Sequence, residues 1–398
     1  MAIVAESIKG AKRVRGGSAL VQPEGRTSRR PDVEDALAPA PASQPKLEPR
    51  RGRGALTNAA GRFEPEIRVH DDDGWDLPED LPPLRTEVMQ ERARTIISRN
   101  DSPDISFDRS INPYRGCEHG CVYCFARPTH AYLGLSAGLD FETRLFSKTN
   151  AASVLERELA APGYQAKTIA IGSNTDPYQP IERKEQVMRQ VLGVLSRANH
   201  PVGIVTKSTL VLRDLDLLAP MAEKGLVKVA LSVTTLDPVL ARKMEPRASS
   251  PERRLETVRR LAQAGIPTVV MVAPIIPAIN DAEIEAILAR AQAAGAREAG
   301  YVMLRLPLEV RDLFAEWLMT HYPGKLRHVL SLIRSVRGGK MYDSTFGKRM
   351  TGSGPYAWMI GRRFEAAAKK LGLARSRVPL RCDLFSPPAR QGEQLQLL

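Results

Sequence analysis

From about residue 105 onward, short runs of β-branched and aliphatic residues alternate with longer stretches in which apolar positions recur every three or four residues. The short runs have the composition of buried strands, and the longer ones have the 3.6-residue period of helices with one apolar face. Six strands are predicted, at 105–113, 168–173, 203–208, 228–233, 268–275 and 298–304. The helical stretch 251–265, PERRLETVRRLAQAG, shows the pattern well: Leu255, Val258, Leu261 and Ala262 share one face, Ser250-Pro251 opens it and Gly265 closes it. Its arginine-rich opposite face reads as solvated.

Strands alternating with helices imply a parallel sheet wrapped by helices, and six βα units imply an incomplete, TIM-like (β/α)6 barrel. Chemistry in such a fold sits at the carboxyl ends of the strands. After the last strand, helices are predicted at 310–319, 325–336 and 356–371, the last preceded by a Gly-rich segment, and an extended tail begins near Ser376. The expected organisation is a flexible extension over 1–95, an α/β core over 96–310, a small helical region over 311–375 and a tail over 376–398.

Composition changes this picture at both ends. Residues 1–95 are rich in Pro, Gly, Ala, Ser and Arg, lack sustained apolar periodicity, and pass from basic (Arg50, Arg51, Arg53) to acidic (Asp71, Asp72, Asp73). The acidic run either stays solvated or folds back on basic surface. Of the net charge of +13, nearly all lies in 321–398, where 15 Lys and Arg face 4 Asp and Glu. A charge excess so concentrated makes a polyanion such as DNA or RNA the leading partner. The longest apolar run, 268–279, is interrupted by Pro274 and Pro277 and is too short to cross a bilayer, so a cytoplasmic location is expected.

Three of the four cysteines fall within eight positions, Cys117, Cys121 and Cys124, spaced C-x3-C-x2-C directly after the first predicted strand. This is a poor layout for disulfides and a good one for a metal site. Three thiolates suit a 4Fe-4S cluster with one iron left open to a chelating amine and carboxylate, such as those of S-adenosylmethionine (SAM). Gly116 and Gly120 allow the backbone to curl around such a cluster, and Tyr123 can flank the cofactor. The alternative is a zinc site completed by His119 or His130, in a non-catalytic nucleic-acid-binding protein. The fourth cysteine, Cys382, reads as an incidental thiol of the tail.

The stretch Asn112-Pro113-Tyr114-Arg115-Gly116-Cys117-x3-Cys121-x2-Cys124-Phe125-Ala126-Arg127 resembles the radical SAM superfamily and, within it, the spore photoproduct lyase-like proteins. The resemblance covers roughly residues 100–310. It implies reductive cleavage of SAM to a 5′-deoxyadenosyl radical, an electron donor such as flavodoxin or ferredoxin, and a lyase-like or modifying reaction, DNA repair included. It also implies cofactor contacts at successive strand ends: Ser173 and Asn174 at the second, Lys207 at the third, Ser232 and Thr234 at the fourth, with Arg247 shortly after. Each has a plainer reading, Lys207 as a surface charge, Ser232 as a capped strand end and Arg247 as a partner of Glu245 or another carboxylate. Asp176-Pro177 reads as a turn and helix start.

Two departures limit the reaction. Lyases of that group use a cysteine after the second strand as hydrogen donor, and this chain has Ser173, Asn174 and Thr175 there. A single further cysteine also argues against a second cysteine-ligated cluster, which methylthiolating enzymes use. Substrate grip falls to the C-terminal region, where Lys348, Arg349, Arg362 and Arg363 interleave with Tyr356 and Trp358 as phosphate and base contacts would. The ending Gln394-Leu395-Gln396-Leu397-Leu398 resembles a bacterial sliding-clamp-binding peptide. The leading expectation is a radical SAM enzyme acting on nucleic acid; the alternative keeps the chemistry and acts on a protein or small molecule.

Overall fold

A computed structural model of the chain describes residues 50–64, 84–373 and 379–389. Ten strands are present among them: β1 (Glu87–Glu91), β2 (Ser98–Arg99), β3 (Arg109–Ile111), β4 (Tyr114–Arg115), β5 (Arg144–Lys148), β6 (Ile169–Ile171), β7 (Val202–Thr206), β8 (Val227–Ser232), β9 (Thr268–Ile275) and β10 (Glu298–Met303). Seven form one sheet in the order β10-β9-β8-β7-β6-β3-β2. All its neighbours from β3 to β10 pair in parallel, and β2 adds an antiparallel edge.

The six parallel strands are those the sequence predicts, in the same order, and the α/β partial-barrel class holds. β9 spans the predicted 268–275, and the other strands start or end one or more residues from their predicted bounds; β3, for example, keeps three of the nine residues expected. Helices between the strands cover the outside, and one apolar core fills the space, with Ile111, Ile171, Val229 and Val270 all fully buried. No helix among the described residues is long and apolar enough to cross a membrane.

The sheet is open, and its β10 edge is covered by the C-terminal region. Met303 N–H donates to Met350 O at 2.8 Å, and the Tyr301 and Phe364 rings lie 4.7 Å apart. Arg337, only 1% exposed, donates to the carbonyls of Met303, Leu304, Lys348 and Arg349, so one guanidinium ties this region to the last strand.

Part of the segment expected to be flexible is built into the fold. β1 pairs in parallel with β5, β4 pairs antiparallel with β5, and together they form a second, three-stranded sheet. Upstream of it, residues 50–64 lie over the loop after β3. Gly54 and Ala55 donate their N–H groups to the Glu142 carboxylate at 3.0 and 2.8 Å, and Arg53 donates to Glu142 O at 2.8 Å. Glu142 is fully buried and is ion-paired with the equally buried Arg127. The segment is held by backbone donors and scattered polar side chains, Arg53 on Glu142 O, Thr57 on Glu316, Asn58 with Asp140 and Arg62 with Glu309, rather than by an apolar stripe, so hydrophobic periodicity gives no sign of it. A Cβ on Gly54 would stand 1.8 Å from Gly120 O, so only glycine lets the two chains touch there.

The tail also docks where it is described. Ser386 N–H reaches Ala198 O at 2.9 Å, Arg381 N–H reaches Gly225 O at 3.0 Å, and Phe385 packs on Tyr164 and His200. The acidic run Asp71–Asp73 and the peptide Gln394–Leu398 lie outside the described residues.

Glu142→Gln keeps the shape of the side chain but leaves the Arg127 charge buried without a counter-ion. It should cost about 3–5 kcal/mol of unfolding free energy in denaturant titration; a loss under about 1 kcal/mol would show that the pair is not an anchor. His200, fully buried, gives its Nδ1 proton to Pro201 O and accepts from the Tyr164 hydroxyl at Nε2, and burial lowers its pKa to about 4. The unfolded chain takes up this proton near pH 6.5 and the folded chain does not. The contribution is therefore complete above pH 6.5 and declines as pH falls toward 4. His200→Asn should flatten the fall of melting temperature over that window; an unchanged pH profile would remove this assignment.

Candidate cluster and cofactor site

The loop after β4 carries the three predicted ligands, and its backbone polar groups are largely committed elsewhere. Cys117 N–H bonds Phe141 O at 2.9 Å, Val122 N–H bonds Met244 O at 3.1 Å, and Arg247 N–H bonds His119 O at 3.3 Å. The Gln179 amide bridges the loop, donating to Gly116 O at 3.1 Å and accepting from Glu118 N–H at 2.9 Å. Arg127 holds Cys121 O at 2.9 Å and the carbonyls of Ala137 and Gly138 at 3.0 and 2.9 Å. Gly120 has φ +66°, and a Cβ there would press to 2.8 Å on Glu142 Oε2.

All three thiols are free, Cys117 and Cys121 buried and Cys124 partly so. Burial, then the neighbouring Asp176 and the other two thiols, pushes Cys117 well above its usual range. Burial likewise raises Cys121 to about 12, against a downward pull from Lys207, and raises Cys124. These thiols stay protonated until a metal displaces the protons. Three coupled thiols on one pinned loop, with Lys207 beside them to offset charge, fit the three-cysteine ligation of a 4Fe-4S cluster.

The zinc alternative fits poorly. Among the described residues no three His, Cys, Asp or Glu side chains are gathered to hold a single ion. His119 Nδ1 lies 3.3 Å from Asp176 Oδ2, and His130 Nε2 is used on Arg144 O. Cys382 is exposed on the tail segment that docks beside Gly225, ahead of β8, and so at the opposite end of the sheet from the cluster loop.

Two acids, Asp176 and the buried Glu245, organise the strand ends around the loop. Asp176, after β6, accepts from the Thr206 hydroxyl at 2.7 Å, Lys207 N–H at 2.8 Å and Tyr178 N–H at 2.9 Å. Burial pushes its pKa up, but His119 and these donors outweigh that and bring it to about 2. The Asp-Pro turn is therefore also a cross-strand tie. Glu245 is the second hub, accepting from the Tyr123 and Thr234 hydroxyls and pairing with Arg254. Burial opposes its ionisation, and Arg254, Lys207, Thr234 and Tyr123 together still lower it to about 2.

These hubs decide what the predicted contact residues are free to do. Lys207 projects over the Tyr123 ring at 5.9 Å and is half-buried beside the cysteines. Ser173 lies 3.5 Å from the Asn112 amide, whose oxygen holds Asn174 N–H at 3.1 Å. Ser232 is buried and its carbonyl accepts from Arg254 at 3.0 Å. The hydroxyls of Tyr123 and Thr234 are spent on Glu245 and the Thr234 carbonyl accepts from the Asn280 amide at 2.8 Å, so of the two residues the Tyr123 ring remains for a ligand. Arg247 pairs with Glu118 at 3.2 Å rather than with Glu245.

Residues that sequence reasoning missed are mostly buried ions: Glu142, Arg127, Glu245 and Arg254. Arg254 is 2% exposed, so the arginine face of its helix, Pro251–Gln263, is not wholly solvated. Spacing held the signal, because Arg254 falls on the Pro251-Leu255-Val258-Leu261 stripe.

The residues expected to grip nucleic acid differ in how far they are already paired. Arg349 pairs with Asp104 at 2.6 Å, Arg363 with Glu285 at 2.6 Å and Arg362 with Glu365 at 3.3 Å, while Tyr356 gives its hydroxyl to Asp281. Of the cations named, Lys348 is exposed and Arg362, in an exposed i,i+3 pair, is readily given up to another anion.

Comparison with known proteins agrees with this geometry. The family model described as the radical SAM superfamily matches residues 111–291. An uncharacterized protein of Mycobacterium tuberculosis is 39% identical over 232 residues, 58% of this chain and 68% of that one. An uncharacterized protein of Methanocaldococcus jannaschii is 27% identical over 199 residues, 50% of this chain and 71% of that one. Among solved structures, spore photoproduct lyase complexed with dinucleoside spore photoproduct shares the fold, with a TM-score of 0.51, 17% identity, and coverage of 71% of this chain and 79% of that one. The chain belongs to the radical SAM superfamily and is an enzyme of that type, with a 4Fe-4S cluster and SAM as its cofactors.

Proposed function

We propose that this radical SAM enzyme acts on nucleic acid, in a repair or modification reaction, with Cys117, Cys121 and Cys124 as the cluster ligands. When bound, the cluster supplies the electron that cleaves SAM. The chain's own residues position and shield: Lys207 places a cation beside the thiols, Ser173 and Asn174 present polar groups from the end of β6, and the Tyr123 ring walls the site. A reducing cytoplasm and a small redox protein such as flavodoxin or ferredoxin suit this chemistry.

One observation carries the substrate reading. On the helix Gly354–Lys370, Trp358 is 69% exposed, and Arg362, Lys369 and Lys370 are exposed on the same helix. A large ring left in water beside cations is the pairing that stacks a base and holds its phosphate. This helix belongs to the region that carries the chain's charge excess. The fold likeness to a lyase solved with a dinucleoside adds support. With Ser173, Asn174 and Thr175 where that group places a thiol donor, the reaction differs from repair of the same lesion.

Affinity for a single-stranded oligonucleotide should fall steeply with salt, and Trp358→Ala with Arg362→Gln should weaken it roughly ten-fold or more. Binding that is absent, or indifferent to salt and to both substitutions, would favour a protein or small-molecule substrate.

A further inference from the structure

β3 and β10 sit far apart in the sheet, with four strands between them, yet a side chain of the cysteine loop that follows β3 and β4 meets one issuing just beyond β10. The Arg305 guanidinium carbon lies 4.8 Å from the centroid of the Phe125 ring. Phe125 follows the ligand Cys124 directly and is 41% exposed; Arg305 comes two residues after β10. The pair therefore bridges the open seam of the barrel at the carboxyl ends of its strands, beside the cluster loop.

Arg305 is poorly matched for a residue so placed. Among the described residues its buried Nε has no partner, and its terminal nitrogens reach only Met350 Sδ at 3.6 Å and the Tyr342 hydroxyl at 3.4 Å. Among the described residues no carboxylate pairs with it. A second guanidinium, Arg337, lies close enough that, after burial, Arg305 is what most lowers its pKa. Arg337 spends its terminal nitrogens on four carbonyls, and its own Nε is also buried and unpartnered. Asp343, whose charge acts on Arg337 without pairing with it, accepts from Thr345 N–H at 2.9 Å.

Closing the seam needs only a contact, which an uncharged side chain would provide without leaving a buried donor unmatched. Two adjacent guanidiniums with no ion-paired carboxylate describe a place that lacks its anion. The exposed ring against Arg305 gives that anion a flat, apolar neighbour.

We propose that Phe125 and Arg305 form the substrate subsite next to the cluster, the ring stacking a nucleobase and the guanidinium taking the phosphate of the same nucleotide unit. This rests on the nucleic-acid reading and names the part of the substrate held at the mouth.

The test uses the anaerobically loaded, full-length enzyme and a fluorescent single-stranded oligonucleotide, with iron content measured for every variant. Arg305→Gln should weaken binding about ten-fold and reduce the log–log salt slope by about 0.7, the loss of one phosphate contact. Phe125→Leu should weaken binding roughly five-fold or more with the slope unchanged, and Phe125→Tyr should restore it. If the wild type binds with a normal salt slope and Arg305→Gln and Phe125→Leu bind equally well, the subsite is wrong and the nucleic-acid reading stands. If the wild type binds no oligonucleotide, that reading fails and the subsite with it. Should Phe125→Leu lose iron, the slope of Arg305→Gln decides alone.

Discussion

The buried pair of Glu142 and Arg127 is the interaction on which the cluster loop depends. Neither charge reaches water, and neither would be tolerated there alone. Each is matched: Glu142 by Arg127 and the N–H groups of Gly54 and Ala55, Arg127 by Glu142 and the carbonyls of Cys121, Ala137 and Gly138. The pair thus joins an upstream segment, the cysteine loop and the second sheet in one unit. A loop that must hold three thiols ready for metal takes its shape from this frame together with the small apolar cluster of Cys117, Ala126 and Phe141.

The same logic recurs around the mouth. Asp176 fixes the ends of β6 and β7 to the loop through His119, Thr206 and Lys207 N–H, and Glu245 gathers Tyr123, Thr234 and Arg254. A low-dielectric setting strengthens these bonds and makes an unmatched member costly, so each hub fixes its partners in a single arrangement. Against that background, Arg305 stands out as a cation at the seam that no acid pairs with among the described residues. The loop after β3 and the chain after β10 therefore meet through a contact that leaves polar capacity unused.

Much of this was legible in the sequence. The βα alternation gave six parallel strands in the right order, and C-x3-C-x2-C after the first of them located the metal loop. Period and spacing report what repeats along the chain, and the buried ions do not repeat. Glu142, Glu245 and Arg254 are single charges whose partners are distant in sequence, or adjacent only once the chain is folded. Residues 50–64 escaped for a related reason, since backbone N–H groups have no sequence signature. The ion pairs of Arg349 and Arg363 were not legible because their acids, Asp104 and Glu285, come from far along the chain. A surplus of charge reports an attraction, not which cations remain to exert it.

The central claim is that Cys117, Cys121 and Cys124 hold the cluster that cleaves SAM. It is tested most directly by measuring 5′-deoxyadenosine formed from SAM by the anaerobically purified, chemically reduced protein. The expected result is about four irons per chain, product formation by the wild type, and loss of both in Cys117→Ala, Cys121→Ala and Cys124→Ala. Stoichiometric zinc without iron, or a fully iron-loaded protein that leaves SAM intact, would contradict it.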